Sequence, residues 1–284
     1  MRIFLTGATG VIGRRVVHEL STRGHQVTAV GRTAAKYEAL RQAGAEPVAV
    51  DLFDVEGLRR AVAGHDAVVN LATHMPTSTT TMLFRSAWRE NDRIRKVASH
   101  ILVDAALSGG ASVFVQESFA PAYPDSGDRW IDETTPLAPA AYNRTVMDAE
   151  AAARRFTDAG GRGVALRFSA FYGPDALQVR DLIRWVRKRW APLPGKPEAY
   201  ISSISHDDAA AAVIAVLGVP AGVYNVVDDE PVTHRAYVDA LAAALGVPSP
   251  RLPPTWLESM MGSVAQALSR SLRISNRKLR QESG

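Results

Sequence analysis

Three glycines near the start of the chain have the spacing of a nucleotide-binding turn. Gly7, Gly10 and Gly13 stand in the segment TGATGVIG and give the pattern G-x-x-G-x-x-G, after a short apolar run and at the opening of a segment with helical spacing. Glycine permits a tight turn and lets the backbone approach a pyrophosphate, which then lies at the helix N-terminus. A plain turn can have the same letters, but this context favours a dinucleotide site. The predicted cofactor-binding residues of the turn are Gly7, Thr9, Gly10, Val11, Ile12 and Gly13.

The end of the predicted second strand bears on the choice between NAD and NADP. An NAD site usually has Asp or Glu there to accept hydrogen bonds from the ribose 2′-hydroxyl, whereas an NADP site has arginine nearby. Here the strand leads into Gly31-Arg32-Thr33 without an acid. Arg14, just past the third glycine, offers a second guanidinium, and guanidinium groups suit phosphate. The sequence favours NADP through Arg32, with NAD as the open alternative, although both arginines can also be plain surface residues.

A parallel sheet is needed to position these residues, and the hydrophobic pattern predicts one. Continuous apolar runs alternate with amphipathic segments, which indicates parallel strands covered by helices on both faces. The expected fold is α/β, a Rossmann-like doubly wound parallel sheet with a smaller C-terminal region. The predicted strands are residues 2–6, 26–30, 47–50, 67–71, 112–116 and 163–168, and the predicted helices are residues 11–22, 36–43, 55–63, 88–107 and 142–157.

The texture of the sequence changes along the chain and suggests two parts. We predict that residues 1–168 form the NAD(P)-binding domain and that residues 169–284 form the smaller substrate region, because short segments and prolines dominate the latter. Residues 207–217 have the pattern of a helix that packs back on the sheet. Residues 255–270 have that of an amphipathic helix. The proline-rich stretch of residues 117–141 is predicted to be a long loop over the strand ends.

Beyond the glycine turn, further segments carry a resemblance that covers most of the chain. They resemble the extended short-chain dehydrogenase/reductase superfamily, in its NAD-dependent epimerase/dehydratase branch. The resemblance implies that Asp51 and Leu52 lie near the adenine and that Leu71, Ala72 and Thr73 run along the cofactor. The matching segments are TGATGVIG at 6–13, DL at 51–52, NLAT at 70–73, DETTPLAP at 132–139, YNRTVMDAE at 142–150, LRFSAFYGP at 166–174, HDDAAAAV at 206–213 and GVYNVVDDEPVT at 222–233.

The catalytic motif of that superfamily is incomplete in this chain. Members carry Tyr-x-x-x-Lys, in which an ammonium group favours the phenolate of the tyrosine, and a Ser or Thr at the end of the fifth strand. The tyrosine corresponds to Tyr142, but the lysine position is Val146. Ser118 is the candidate for the hydroxyl, one residue out of the usual spacing relative to Tyr123. We expect Tyr142 and Ser118 to be the catalytic residues, with Tyr123 and His74 as possible helpers and a structural role for Tyr142 as the alternative.

Composition limits the classes of function for this 284-residue chain. It has no cysteine, which excludes disulfides, a thiol nucleophile and Cys-ligated metal, and no His/Asp/Glu spacing typical of a metal site, since His206-Asp207-Asp208 fits a helix start capped by Asp. The net charge is +4, from 33 basic and 29 acidic residues, and the basic residues form no concentrated stripe of the kind that binds nucleic acid. We therefore expect a small-molecule substrate and no metal, nucleic-acid or membrane partner, with a homodimer left open. Without a signal peptide or an 18-residue apolar run, the expected location is the cytoplasm.

Three functional hypotheses fit these residues. The first is an atypical NADP(H)-dependent short-chain dehydrogenase/reductase that acts on a small carbonyl, alcohol or sugar-like substrate. The second is a non-redox epimerase, dehydratase or cyclase on the same scaffold, in which other groups carry the proton transfer. The third is a catalytically inactive, cofactor-sensing regulatory protein, which the valine at position 146 motivates.

Overall fold

The computed structural model describes residues 1–76, 81, 84–173, 175–254, 256 and 263–284. Within these ranges strands and helices mostly alternate up to about residue 168, as the apolar pattern predicts, although strand Trp130–Ile131 follows strand Val113–Phe119 with no α-helix between them, and helix Ser99–Ser108 follows helix Arg89–Arg93 with no strand between them. The strands are β1 (Arg2–Thr6), β2 (Gln26–Gly31), β3 (Glu46–Ala49), β4 (Ala67–Asn70), β5 (Val113–Phe119), β6 (Trp130–Ile131), β7 (Arg162–Phe168), β8 (Ala170–Tyr172), β9 (Tyr200–Ile201), β10 (Ser203–Ser205), β11 (Gly222–Val226), β12 (Val232–Thr233) and β13 (Arg273–Ile274).

The helices begin at recognisable capping residues in several cases. Thr33, Asp54, Ser205 and Thr233 each accept a hydrogen bond from a backbone N–H in the first turn that follows, as N-cap residues do. The helices are α1 (Val11–Thr22), α2 (Ala34–Gln42), α3 (Val55–Val62), α4 (Arg89–Arg93), α5 (Ser99–Ser108), α6 (Val146–Asp158), α7 (Leu177–Val186), α8 (His206–Ala215), α9 (His234–Ala244), α10 (Ser263–Leu268) and α11 (Arg277–Ser283). A π-helical turn, Ile94–Ala98, joins α4 to α5.

Seven strands form one parallel sheet, in the order β11-β7-β5-β4-β1-β2-β3. The order reverses at β1, which lies between β4 and β2. In open α/β sheets a ligand binds outside the carboxyl ends of the strands at such a switch point. The structure confirms the predicted Rossmann-like parallel sheet with a smaller C-terminal region.

Two apolar layers cover the sheet, one on each face. On one face, Leu5 and Val69 of the strands pack with α1 and α8 in a single core cluster. On the other face, Phe4 and Val68 pack with α3, α5 and α6. Neighbouring strand residues point to opposite faces, so strands buried on both sides are continuously apolar.

The sheet draws on more of the chain than the prediction assigned to it. Strand β11 pairs in parallel with β7, so the predicted boundary at residue 168 does not coincide with an edge of the sheet. Helix α8, which overlaps the predicted helix at 207–217, packs against α1 within the core of the sheet. It is capped by Ser205 rather than by an aspartate.

The smaller region consists of short elements after residue 168. Its strands form two-stranded pairs, β10 with β8, β12 with β9 and β13 with β6, and α7 and α9 share an apolar cluster around Val186 and Val238. The predicted helix at 255–270 lies partly outside the described residues, which begin again with α10. Over the part of the chain that is described, the helices fall short of the length and apolar character that a bilayer crossing requires.

Candidate cofactor and active site

The glycine turn between β1 and α1 depends on the absence of side chains. Gly7 has φ +70°, and a Cβ on it would lie 2.3 Å from the carbonyl oxygen of Leu71. A Cβ on Gly13 would lie 2.1 Å from the carbonyl oxygen of Gly7. Both positions therefore require glycine, the first also for its positive φ. This packing brings the turn directly against the end of β4.

The N-terminus of α1 is suited to an anion. Its N-cap is Gly10, which has no side chain to cap the helix, and the first turn contains no acidic residue. The first N–H groups of a helix have no partner within it, and the helix dipole favours negative charge there. Val11, Ile12 and Gly13 form this first turn and offer their backbone N–H groups there. The arrangement fits a pyrophosphate.

An open cleft of about 710 Å³ lies beside the turn, along the carboxyl ends of β1 to β4. Nine of the predicted cofactor residues line it, and we call this space the cofactor cleft. They are Gly7, Thr9, Gly10, Arg32, Asp51, Leu52, Leu71, Ala72 and Thr73. The sequence reasoning missed other lining residues, including Lys36, Tyr37, Phe53, Glu90, Arg93 and Ile94.

Two cations stand at the end of β2 within this cleft. The exposed Arg32 and the half-buried Lys36 both line it, and neither side chain forms an ion pair within the described ranges. A Cβ on Gly31 would lie 2.6 Å from the ring of Tyr37, so this ring occupies the space of a side chain at the strand end. The end of strand β2 thus carries two cations that are unpaired among the described residues, and the strand ends without an acid. This is the arrangement that suits a 2′-phosphate.

The far wall of the cleft is aromatic and aliphatic. The guanidinium of Arg93 lies 3.5 Å from the centroid of the Phe53 ring, and Ile94 begins the π-helical turn beside it. Asp51 accepts a hydrogen bond from the Phe53 N–H at 3.0 Å, which orders the loop after β3. Single π-helical turns inside helices, such as Ile94–Ala98, are often found at functional sites. Such side chains offer flat and apolar surfaces against which a base can pack.

Arg14 does not face the cofactor cleft. Its guanidinium pairs with Asp175, which lies in the loop after β8. Arg15 pairs with the same carboxylate at 2.9 Å and with Asp207 at 2.6 Å. Hydrogen bonds from Arg15 and Arg14 hold the pKa of Asp175 below its usual value. The second phosphate-binding guanidinium expected from the sequence is therefore engaged elsewhere, and Lys36 stands in the cleft instead.

The hydroxyl of Ser118 belongs to a buried polar cluster, which we define as Ser118, Tyr123, Glu150, Arg167 and Asn225. Ser118 donates to Glu150 at 2.6 Å, and Arg167 donates to both oxygens of that carboxylate at 2.7 Å. Arg167 also donates to the hydroxyl of Tyr123 at 2.6 Å, and that hydroxyl donates to Asn225 at 2.9 Å. Burial raises the pKa of Tyr123 to about 12. The expected pairing of Ser118 with a substrate conflicts with this arrangement, because the hydroxyl is sequestered between β5 and α6.

Tyr142 lies just before α6, in an aromatic setting. Its ring centroid is 4.9 Å from that of Trp88, and Phe119 packs against the same cluster. The hydroxyl is buried and has no hydrogen-bond partner within the described ranges. Burial raises the pKa of Tyr142 to about 12, opposed by the positive charges of Arg270 and Arg95. The side chain is therefore a neutral phenol.

The lysine position of the family motif is closed to solvent. Val146 is the first residue of α6 and is completely buried. The nearby Arg95 pairs with Glu117 at 2.7 Å, and burial raises the pKa of that carboxyl. His74 is exposed, and its backbone N–H donates to the buried Asn91 at 3.0 Å.

Sequence reasoning missed the pairing of these charges, although a signal was present. Glu117 and Arg167 interrupt apolar strands, and Glu150 lies on the inner face of α6. Charged side chains are almost never buried unless they are paired. Three such residues in buried elements therefore predict ion pairs, but not which residues form them.

Comparison with known proteins identifies the family. Residues 7–220 match the family described as NAD(P)H-binding. The chain belongs to this family. The 3-diazoavenalumate denitrifying reductase of a Streptomyces species is 35% identical over 272 residues, which cover 90% of this chain and 86% of that protein. The 2-alkyl-3-oxoalkanoate reductase of Shewanella oneidensis is 25% identical, over 95% of this chain and 73% of that protein.

Solved structures of other proteins share the fold. The human epimerase family protein SDR39U1, determined with NADPH, superposes with a TM-score of 0.81 at 22% identity and covers 99% of this chain and 93% of that structure. UDP-glucose 4-epimerase of Thermotoga maritima superposes with a TM-score of 0.78 at 20% identity, over 100% of this chain and 93% of that structure. The resemblance to atypical short-chain dehydrogenases/reductases and NAD-dependent epimerases is thus confirmed at the level of the fold.

Proposed function

We propose that the protein is an NADPH-dependent reductase of a small electrophilic molecule. The observation that carries the proposal is that Arg32 and Lys36, at a strand end without an acid, form no ion pair among the described residues. The relatives named as reductases, one of them at 35% identity, support the redox part.

The described residues suggest a role for each part of the cleft. The backbone of Gly7 and Gly10 and the free N–H groups of α1 would hold the pyrophosphate. Arg32 and Lys36 would bind the 2′-phosphate, and the wall around Phe53 would receive the adenine. When bound, NADPH supplies a hydride to the substrate.

We assign to Tyr142 the role of contacting the substrate where it reacts with the nicotinamide. A buried hydroxyl without a partner is uncommon and calls for an explanation. As a neutral phenol, Tyr142 would donate a hydrogen bond to a polar group of the substrate. Ser118 would support Tyr142 indirectly, because its bond to Glu150 fixes β5 against α6.

Calorimetric titration with NADP⁺ and NAD⁺ tests the cofactor preference. We expect NADP⁺ to bind more tightly, and Arg32→Glu and Lys36→Glu each to weaken NADP⁺ binding by about tenfold or more, since a bond to a charged group contributes about 1.5–3 kcal/mol. Arg41→Glu, the same charge change at the end of α2, is the matched control and should leave binding unchanged. Equal binding of NAD⁺, or no effect of either cleft variant, would contradict the assignment.

A cofactor-binding protein without turnover is the second candidate. The buried Val146 and the sequestered Ser118 favour it, because neither provides proton transfer. It would bind NADPH as above but never oxidise it. Turnover with any substrate would exclude it.

A further inference from the structure

The excess positive charge of the chain is concentrated in one segment. Residues 180–196 contain six basic residues and one acidic residue, whereas the rest of the chain contains 27 basic and 28 acidic residues. The net charge of +4 therefore arises from this segment alone. Five of its six basic residues lie on α7 and in the turn that follows, and we call them the basic patch. They are Arg180, Arg184, Arg187, Lys188 and Arg189.

The basic patch faces solvent because the opposite side of α7 is buried. Leu182 and Val186 pack with α9 and are 8% and 0% exposed. Arg180, Arg184 and Arg187 have the spacing i, i+4 and i+7, so they form a row along the other side of the helix. All five residues of the patch are exposed. A row of this kind on a convex surface can meet a flat anionic surface with all of its charges at once.

Most charges of the basic patch have no counter-charge within the fold. Asp181 pairs with Arg184 at 3.0 Å. The other four members of the patch form no ion pair with any residue that the structure describes. The helix dipole favours cations near the C-terminus of a helix, so it does not account for Arg180 in the first turn of α7. An anionic partner would relieve the repulsion between these like charges.

Arg189 has a backbone conformation that favours glycine. Its φ is +60°, and it is the only residue other than glycine with a positive φ in the parts of the chain that the structure describes. Glycine adopts this region without a steric cost, whereas other residues are strained there. A charged side chain is therefore present at this exposed turn at a conformational cost, as is common for residues that bind.

One exposed aromatic side chain lies beside the row of cations. Trp185 is 45% exposed, and Nζ of Lys188 lies 5.4 Å from the centroid of its ring. Tryptophan is enriched at membrane–water interfaces, and clusters of lysine and arginine attract anionic lipid. A nucleic-acid duplex would engage the cations through its phosphates and leave the indole ring exposed. The combination of residues therefore favours a lipid surface.

We propose that the basic patch docks the protein on an anionic lipid surface, with Trp185 among the lipid headgroups. The docking is peripheral, since it uses the outer side of one helix. It differs from the sequence-based expectation of no membrane partner, which depended on the lack of an apolar run long enough to span a bilayer. It is also independent of the proposed function, because no residue of the patch lines the cofactor cleft.

Sedimentation with lipid vesicles tests the docking on the full chain. The probes are phosphatidylcholine vesicles and vesicles that also contain about 30% phosphatidylglycerol. We expect binding to the anionic vesicles alone, and loss of binding as salt rises from about 0.05 to 0.5 M, because salt screens exposed charges. Equal binding to neutral vesicles, or binding to neither, would overturn the proposal.

A triple variant tests whether the patch is the surface that binds. We expect Arg180→Gln, Arg187→Gln and Lys188→Gln together to lower the vesicle partition coefficient about 100-fold, since each cation near an anionic surface contributes roughly a factor of five. The urea midpoint should stay at the wild-type value, because these side chains are exposed and unpaired among the described residues. Unchanged partitioning would mean that α7 is not the docking surface.

The matched control removes the same charge from other exposed positions. It combines Arg41→Gln, Arg60→Gln and Lys96→Gln. This control should retain most of the binding. An equal loss in the two triple variants would show that net charge, and not the basic patch, attracts the vesicles.

Two further measurements separate a lipid surface from a polynucleotide. Trp185→Ala should lower the partition coefficient about tenfold, whereas Trp130→Ala, which removes a side chain that is 53% exposed elsewhere, should leave it unchanged. Fluorescence anisotropy with a labelled single-stranded RNA is the second measurement. Binding to the RNA that the patch variant abolishes, without binding to anionic vesicles, would overturn the lipid assignment in favour of a polynucleotide.

Discussion

The cofactor cleft and the buried polar cluster lie along the same sheet, but they differ in whether their charged side chains form ion pairs within the protein. In the cleft, Arg32 and Lys36 form no ion pair with any residue that the structure describes, and both line open space. In the cluster, Arg167 and Glu150 are 7% and 8% exposed and form two hydrogen bonds with each other. The two cations of the cleft are available to bind a ligand, whereas the charged side chains of the cluster are paired with each other.

This difference separates residues that bind from residues that hold the scaffold. A buried charge is tolerated when a partner satisfies it, and breaking such a pair is expensive because the remaining charge stays buried. An exposed cation contributes little to stability and can be replaced without unfolding the protein. Substitutions in the cluster should therefore change stability, whereas cation substitutions in the cleft should change binding.

The largest expected effect comes from Glu150→Gln in the cluster. The glutamine keeps the size of the side chain but leaves the Arg167 guanidinium buried without a counter-charge, so we expect a loss of about 3–5 kcal/mol in the free energy of unfolding. Urea denaturation measures it. The control is Glu56→Gln, which breaks an exposed pair with Arg59 and should cost about 1 kcal/mol or less. Equal costs for the two variants would mean that the cluster is not what holds β5, β7 and α6 together.

Gly7→Ala in the cleft should have the next largest effect. The methyl group meets the Leu71 carbonyl at 2.3 Å and the backbone has φ +70°, so we expect a loss of about 2–4 kcal/mol in stability. NADP⁺ affinity should also fall, since the turn has to shift. Gly24→Ala separates the two causes, because Gly24 has φ +79° with no atom within 4 Å of its Cβ. It should cost about 1–2 kcal/mol and leave NADP⁺ binding intact. If both variants behave alike, the close contact with β4 does not matter.

The same contrast explains what the sequence could predict. The glycine turn and the succession of strands and helices along the chain follow from local patterns, since spacing and apolar runs are read within a short window. Strand β1 and helix α1 have the bounds that were predicted, and nine of the twelve predicted cofactor residues line the cleft at the carboxyl ends of the strands. Strand β11 was not predicted, because its pairing with β7 joins distant parts of the chain.

Side-chain orientation was the harder part of the prediction. Ser118 and Phe119 are adjacent in β5, and neighbours in a strand point to opposite faces, so a shift of one residue exchanges a hydroxyl for a ring. The family motif gives the approximate position but not the face. Lys36 was overlooked for a similar reason, because only the start of α2 brings it back to the end of β2.

The smallest expected change in stability, and the sharpest test of the comparison, comes from two buried tyrosines. Tyr142→Phe removes a hydroxyl that has no partner among the described residues, so stability should stay the same or rise by about 1 kcal/mol. Tyr123→Phe removes a hydroxyl bonded to Asn225 and Arg167 and should cost about 1–3 kcal/mol.

Activity should follow the opposite order for these two variants. We expect Tyr142→Phe to lower kcat and Tyr123→Phe to leave it nearly unchanged once the fold is intact. Because the pKa of Tyr142 is raised to about 12, its phenol stays protonated from pH 7 to pH 10, and kcat should show no rise from its ionisation in that range. A rise in wild-type kcat with pH that Tyr142→Phe abolishes would mean that Tyr142 acts as a phenolate base. The assignment of Tyr142 as a neutral hydrogen-bond donor would then be wrong.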